Sequence, residues 1–263
     1  MARLTNAKPG WWQKGKILIV SLYVDDLIFT GNDESMFVKF KNSMKLEFDM
    51  TDLGRMKYFL GVDLLQNPEG IYISQRKYAK DVLEKFGMEK SNNVKNLIVP
   101  GVKLTKDEEG SKVNATMYKQ LVGSLMYLTV TRPDLMYVVS LISRFMISPT
   151  ELHLQAVKRV LRYLKGTVDL GVFYQNEGNG ELMAYTDSVY VGDTNDRKST
   201  SGYVFLLSGG DVSWSLKKQP VVALPTTEAE FVAVASCVCQ GVWMRRVLEK
   251  LVLFSRQVYH RIM

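Results

Sequence analysis

Two adjacent carboxylates, Asp25 and Asp26, stand at the break between two apolar runs, 17–23 and 27–29, inside the tetrapeptide Tyr23-Val24-Asp25-Asp26. Neighbouring carboxylates repel each other, and water or a divalent cation relieves that repulsion. Mg²⁺, or Mn²⁺ in its place, takes oxygen ligands from one or two carboxylates and fills its shell with water and substrate phosphates. The pair therefore fits metal-assisted phosphoryl or nucleotidyl transfer, although a solvated acidic turn satisfies the same constraint. Successive side chains of an extended chain point to opposite faces, which makes Asp25 the primary candidate ligand and Asp26 the second. A complete site needs at least one further acid.

Two other groups of residues bear on chemistry. Asp187 lies in the middle of a strand-like run, 182–190, where a carboxylate is costly unless it is exposed, paired or metal-bound. Thr227-x-x-Glu230 has the pattern of a capping box that opens a helix running towards Leu251, which alone accounts for a glutamate there. In 148–166, Leu154, Val157, Leu161 and Leu164 form an apolar stripe, and Lys158, Arg159, Arg162 and Lys165 fall largely away from it. That basic side is either a solvated face or a sequence-independent contact to a phosphate backbone.

The elements that position these residues follow from periodicity. Ile, Val, Tyr and Phe on both sides of Asp25-Asp26 predict a hairpin closed by Gly31-Asn32, and Phe37, Phe40, Met44 and Phe48 predict an amphipathic helix over 33–48. A second hairpin is expected from 58–65 and 71–74 across the turn residues 66–70. Ser74 is the expected cap of a helix ended by Gly87, and 89–112 reads as a polar linker. Helices follow over 118–128 and 135–145. Ser148 is then the expected cap, with Pro149 in the first turn, of a helix that Gly166 ends. Strands at 182–190, 202–207 and 212–216 precede the last helix.

Composition sets the class. The chain has 263 residues, 46% hydrophobic and 23% charged, enough for a globular core in one or two domains. A net charge of +7 favours polyanionic partners. Cys237 and Cys239 do not face each other on a helix and read as buried apolar residues; with His153 and His260 as the only histidines, zinc has little support. The first residues carry no signal-peptide core and the apolar stretches read as too short to span a bilayer. The expectation is an intracellular protein, cytoplasmic or nuclear, with no membrane partner.

Tyr-Val-Asp-Asp between apolar strands resembles the catalytic hairpin of a reverse transcriptase, and its surroundings resemble the copia type of long-terminal-repeat retrotransposon. The blocks 22–32 (LYVDDLIFTGN), 53–64 (LGRMKYFLGVDL), 118–133 (YKQLVGSLMYLTVTRP) and 157–167 (VKRVLRYLKGT) continue the likeness in order, and 185–229 resembles the start of a ribonuclease H domain. The resemblance implies an RNA-directed DNA polymerase working by two-metal phosphoryl transfer on an RNA template and DNA primer duplex. Asp25, Asp26, Asp187 and Glu230 would be its metal ligands, with Glu228 an alternative to Glu230. It also implies an α+β, mixed α/β fold. The expected segments are a partial palm with a primer-grip-like hairpin (1–75), a thumb- and connection-like helical region (76–175), a partial ribonuclease H-like domain (181–251) and an unmatched tail (252–263).

Departures from the family pattern accompany the matches. An earlier palm acid and later ribonuclease H acids have no counterpart, and the usual Thr-Asp-Ala-Asp-Trp-Ala-Gly-Asp stands here as Thr186-Asp187-Ser188-Val189-Tyr190-Val191-Gly192-Asp193. The expectation is a catalytically incomplete fragment that a second polymerase chain could complement, or a nucleic-acid-binding remnant. A two-aspartate, magnesium-dependent phosphatase or phosphoacceptor domain is the reading from a different class.

Overall fold

The computed structural model describes residues 16–99, 101, 104–176, 180–193, 195–253 and 261–262, with side chains described up to residue 250. It mixes helix and antiparallel sheet, 39% and 25% of residues, in agreement with the α+β expectation. The chain divides into two compact units, Met1–Met56 with Val242–Met263, and Lys57–Gly241.

In the first unit β1 (Leu18–Tyr23) and β2 (Asp26–Gly31) form the expected hairpin, in the register Tyr23↔Asp26 to Leu18↔Gly31. A short strand, β10 (Arg261–Ile262), lies beside β2 at Thr30 and Gly31. Gly31 is required by a close approach, since a Cβ there would collide with the Ile17 carbonyl. Helix α1 (Glu34–Glu47) starts at Asp33, whose carboxylate accepts the Met36 N–H at 3.1 Å and pairs with Lys16 at 2.7 Å. Lys16 and the Ser35 hydroxyl hold the Asp33 carboxyl down at about 2. Phe29 meets Phe37 and Phe40 at ring separations of 5.6 and 5.3 Å, which joins hairpin to helix.

The second unit opens with β3 (Tyr58–Phe59), β4 (Val62–Asn67) and β5 (Gly70–Ser74). The strand expected over 58–65 is split by Leu60 and Gly61, both at positive φ, which make a two-residue hairpin loop. Helices α2 (Arg76–Lys85), α3 (Ala115–Leu128), α4 (Met136–Ser143) and α5 (Glu151–Gly166) supply one core of buried Val, Leu, Ile, Ala and Tyr118. The region expected to be helical ends in a strand, β6 (Gly171–Gln175), which returns to pair with β5 and completes a four-stranded antiparallel sheet. A second sheet, in order β7 (Leu182–Val189), β8 (Thr200–Leu207) and β9 (Gly210–Lys218), precedes α6 (Thr226–Leu253). The Trp214 indole donates to the Thr129 carbonyl at 2.9 Å and ties β9 to the end of α3.

Several local expectations are corrected. The α2 helix begins after Gln75 rather than Ser74, with no side-chain cap. The α5 helix begins after Thr150 rather than Ser148, because His153 reaches back and its Nδ1 accepts the Thr150 N–H at 3.0 Å. Nδ1 being an acceptor puts the proton on Nε2, which donates to the Thr105 carbonyl at 2.7 Å, so buried His153 is a neutral structural residue. Nor is 89–112 a free linker: Leu97, Ile98 and Leu104 pack on the helical core. Cys237 is buried as expected but Cys239 is exposed. The stretch 226–250 is, by length and composition alone, long and apolar enough to cross a membrane, contrary to the sequence expectation. Its Ala229, Ala233 and Cys237 are buried, and its Ala229 carbonyl and Gln240 amide bond Gln219 and Ser213 of the second sheet region.

Candidate functional site

The acid hairpin is built by a two-residue loop, Val24-Asp25, between the paired residues Tyr23 and Asp26. Val24 has φ of 54°, a left-handed conformation that a β-branched residue rarely adopts and that such loops usually give to glycine or asparagine. Strain of this kind, of order 1–3 kcal/mol, concentrates at functional sites. Here its effect is geometric. The bend carries Asp25 out of the alternation of the strand, so the constraint that only one acid can face a shared site is relaxed. Both carboxylates are exposed at the tip, an arrangement open to a cation and to phosphate oxygens. Among the described residues no group of three or more His, Cys, Asp or Glu side chains is placed to hold a metal ion, so a cation at the tip would need ligands beyond Asp25 and Asp26.

In the second unit, Asp187 lies on β7, an edge strand, and is exposed; its Oδ1 takes the Ser188 N–H at 2.8 Å. Exposure answers the cost that its place in an apolar strand raises. Glu230, on the first turns of α6, accepts the Ser188 hydroxyl at 2.9 Å. The structure thus brings Glu230 to the residue beside Asp187, on the opposite face of the strand from Asp187 itself. Glu228 rather than Glu230 serves the helix start, because its Oε2 accepts the Leu224 N–H at 2.9 Å. The capping role that would explain Glu230 away therefore belongs to its neighbour, and the Glu228 carboxylate is already engaged.

The basic side of α5 is mostly spent inside the protein. Arg159 donates to the Asn96 carbonyl at 3.2 Å and to the Asn96 side chain, Arg162 to the Asn92 carbonyl at 2.7 Å, and Lys165 to the Ser91 carbonyl at 2.5 Å. These three clasp the 91–96 segment over the helix, and Lys158 is the exposed member of the set.

Two further constellations escaped the sequence reading. Buried Arg132 grips Asp134 with two bonds, 2.9 and 2.7 Å, and the Thr167 carbonyl and hydroxyl at 2.8 and 2.9 Å, locking the α3–α4 junction to the end of α5. Arg-Pro-Asp reads in sequence only as a turn. Asp193, the last acid of the 186–193 block, is buried between Lys218 and Arg144. Burial pushes its carboxyl up, but the Lys218 bond, the Asn195 N–H and both cations outweigh this and hold it at about 2. It is an anchor of the 193–198 loop.

Comparison with known proteins assigns the class first. Residues 4–100 match the family described as reverse transcriptase (RNA-dependent DNA polymerase). The retrovirus-related Pol polyprotein from transposon RE1 of Arabidopsis thaliana is 39% identical over 240 residues, covering 91% of this chain and 16% of the polyprotein. That from transposon TNT 1-94 of Nicotiana tabacum is 36% identical over 255 residues, 94% of this chain and 19% of its own length. An uncharacterized mitochondrial protein of Arabidopsis thaliana is 35% identical over 224 residues, 84% of this chain and 92% of that protein. The chain belongs to the reverse transcriptase family of copia-type retrotransposon Pol polyproteins. It spans less than a fifth of the Pol polyproteins named here. No solved structure matches it.

Proposed function

We propose that this chain is the part of a copia-type polymerase that carries the second and third palm acids, the primer-grip-like hairpin, thumb- and connection-like helices and the opening of a ribonuclease H-like domain. The observation that carries this reading is the strained Val24 hairpin, which presents Asp25 and Asp26 together at an exposed tip. Two Mg²⁺ or Mn²⁺ ions, when bound, would stabilise the attacking and leaving oxygens of the transferred phosphoryl group. Asp25 and Asp26 hold two corners of that site. The remaining carboxylate comes from another segment or another polymerase chain, which fits the lack of any three-ligand group among the described residues. Asp187 and Glu230 are the corresponding acids of a ribonuclease H site, although Glu230 here bonds the Ser188 hydroxyl on the other face of β7. The partner is a template–primer duplex held without base readout, and because three of the four α5 cations are engaged, Lys158 is the member left to meet phosphate.

Primer extension on an RNA template tests the reading. The chain alone gives no incorporation above that of Asp25→Asn, and adding the upstream polymerase portion of a Pol relative restores incorporation by orders of magnitude in an Asp25-dependent manner. Restored incorporation that is insensitive to Asp25→Asn would contradict the assignment. Incorporation by the chain alone would contradict the incomplete site.

A further inference from the structure

Gln219, directly after β9, is buried, and its amide nitrogen donates both to the Ser201 hydroxyl on β8 and to the Ala229 carbonyl on α6, each at 2.8 Å. The Gln219 N–H adds a bond to the Ser199 carbonyl at 2.8 Å. The amide oxygen, Oε1, is buried without a donor among the described residues. Ser201 could serve either end of the amide, but the Ala229 carbonyl accepts only from the nitrogen, so that carbonyl fixes the orientation and the oxygen is left over. The fold carries the cost of an unpartnered acceptor where the opening of α6 meets β8.

Ser201 is the cross-strand partner of Ser188, so the two hydroxyls stand side by side on the face opposite to that of Asp187, which pairs with Gly202. The Ser188 hydroxyl donates to Glu230 Oε1 at 2.9 Å. The opening of α6 is thus tied to one serine pair twice, through its backbone at Ala229 and through the Glu230 carboxylate one residue on. A Mg²⁺ ion shared by two carboxylates needs an oxygen of each at roughly 2.0–2.1 Å, hence within about 4 Å of one another. Carboxylates held on opposite faces of β7 do not fit that requirement. We propose, on the reading of Asp187 and Glu230 as an acid pair, that Ser188 and Gln219 form a clasp that withholds Glu230 from Asp187, so that the two acids share no cation in this chain. Gln219 sets the helix backbone and Ser188 occupies the carboxylate. Glu228 offers no substitute, because it is held by the Leu224 N–H at 2.9 Å. Among the described residues β7 is an edge strand, so a Glu230 released from Ser188 has only that strand to clear.

Mn²⁺ titration of the full chain, followed by electron paramagnetic resonance, tests the clasp. All samples carry Asp25→Asn and Asp26→Asn, which silence the hairpin tip, and circular dichroism confirms that each variant is folded. With Ser188 present, Glu230→Gln changes Mn²⁺ affinity by less than about twofold, the scatter expected of uncoupled positions. Ser188→Ala raises the affinity roughly tenfold, the low end of what a hydrogen bond to a charged group is worth. Adding Glu230→Gln or Asp187→Asn to Ser188→Ala removes that gain. A Ser188 chain whose affinity already falls about tenfold in Glu230→Gln would overturn the clasp and leave the acid pair standing. Ser188→Ala without a gain would also overturn the clasp, and if Asp187→Asn then changes nothing either, the acid-pair reading falls with it.

Discussion

The two compact units differ in how far each accounts for its own stability. Lys57–Gly241 closes α2, α3, α4 and α5 around a continuous buried core, with Leu125, Val157 and Leu164 fully excluded from water. In the unit that contains the acid hairpin, the buried apolar side chains among the described residues are Phe29, Phe37 and Met244, while Leu22, Leu46, Phe48 and Leu53 are exposed. Burial of a Leu-sized side chain contributes roughly 1.5–3 kcal/mol, so the described part of the first unit draws little from burial. The residues with the loudest chemical signature therefore sit on the element least able to hold them, and the quieter region is the scaffold.

The largest effects should fall in the scaffold. Leu161→Ala, at a position 1% exposed, is expected to cost about 2–5 kcal/mol in urea unfolding, whereas Leu53→Ala, at a position 86% exposed, stays within about 0.5 kcal/mol. Equal costs would dissolve the contrast. Arg132→Ala removes two guanidinium bonds from Asp134, which keeps the Tyr163 hydroxyl, and one from the Thr167 carbonyl, which keeps the Leu170 N–H, and should cost about 2 kcal/mol by the same assay. Acid acts on the scaffold through Asp193. Its folded pKa, about 2, lies below the ordinary 3.8, so its contribution is complete above about pH 4 and is lost as pH falls towards 2, of order 2 kcal/mol in total. Asp193→Asn should flatten that part of an acid titration of stability. The smallest effect belongs to the clasp: Arg162→Ala should change global stability by no more than about 1 kcal/mol, yet speed amide exchange across 91–96.

What the sequence disclosed follows the range of the interactions concerned. The hairpin, α1 and the strands of the second sheet were legible because each is written in a few consecutive residues, such as β-branched and aromatic runs and the apolar helical period of 37–48. Strand β6 was missed because its partner β5 lies far back in the chain and five residues, GVFYQ, carry no period of their own. The caps shifted by a residue or two because Ser74 and Ser148 look like caps in isolation, while the reciprocal bond from His153 fixes the α5 start at Thr150. The α5 cations were correctly placed off the apolar stripe, but periodicity is blind to the Ser91, Asn92 and Asn96 carbonyls that receive three of them. The adjacency of Asp25 and Asp26 was plain, and the positive φ at Val24 in the loop that carries Asp25 was not.

Native-state hydrogen–deuterium exchange of the full chain, resolved to peptides, tests the contrast most directly. The account predicts that amides of α3 and α5 exchange only through global unfolding, while those of β1, β2 and α1 exchange through low-energy local opening at rates insensitive to Leu161→Ala. Protection of the acid hairpin equal to that of α5, falling in step with it in Leu161→Ala, would show one cooperative structure and contradict the account.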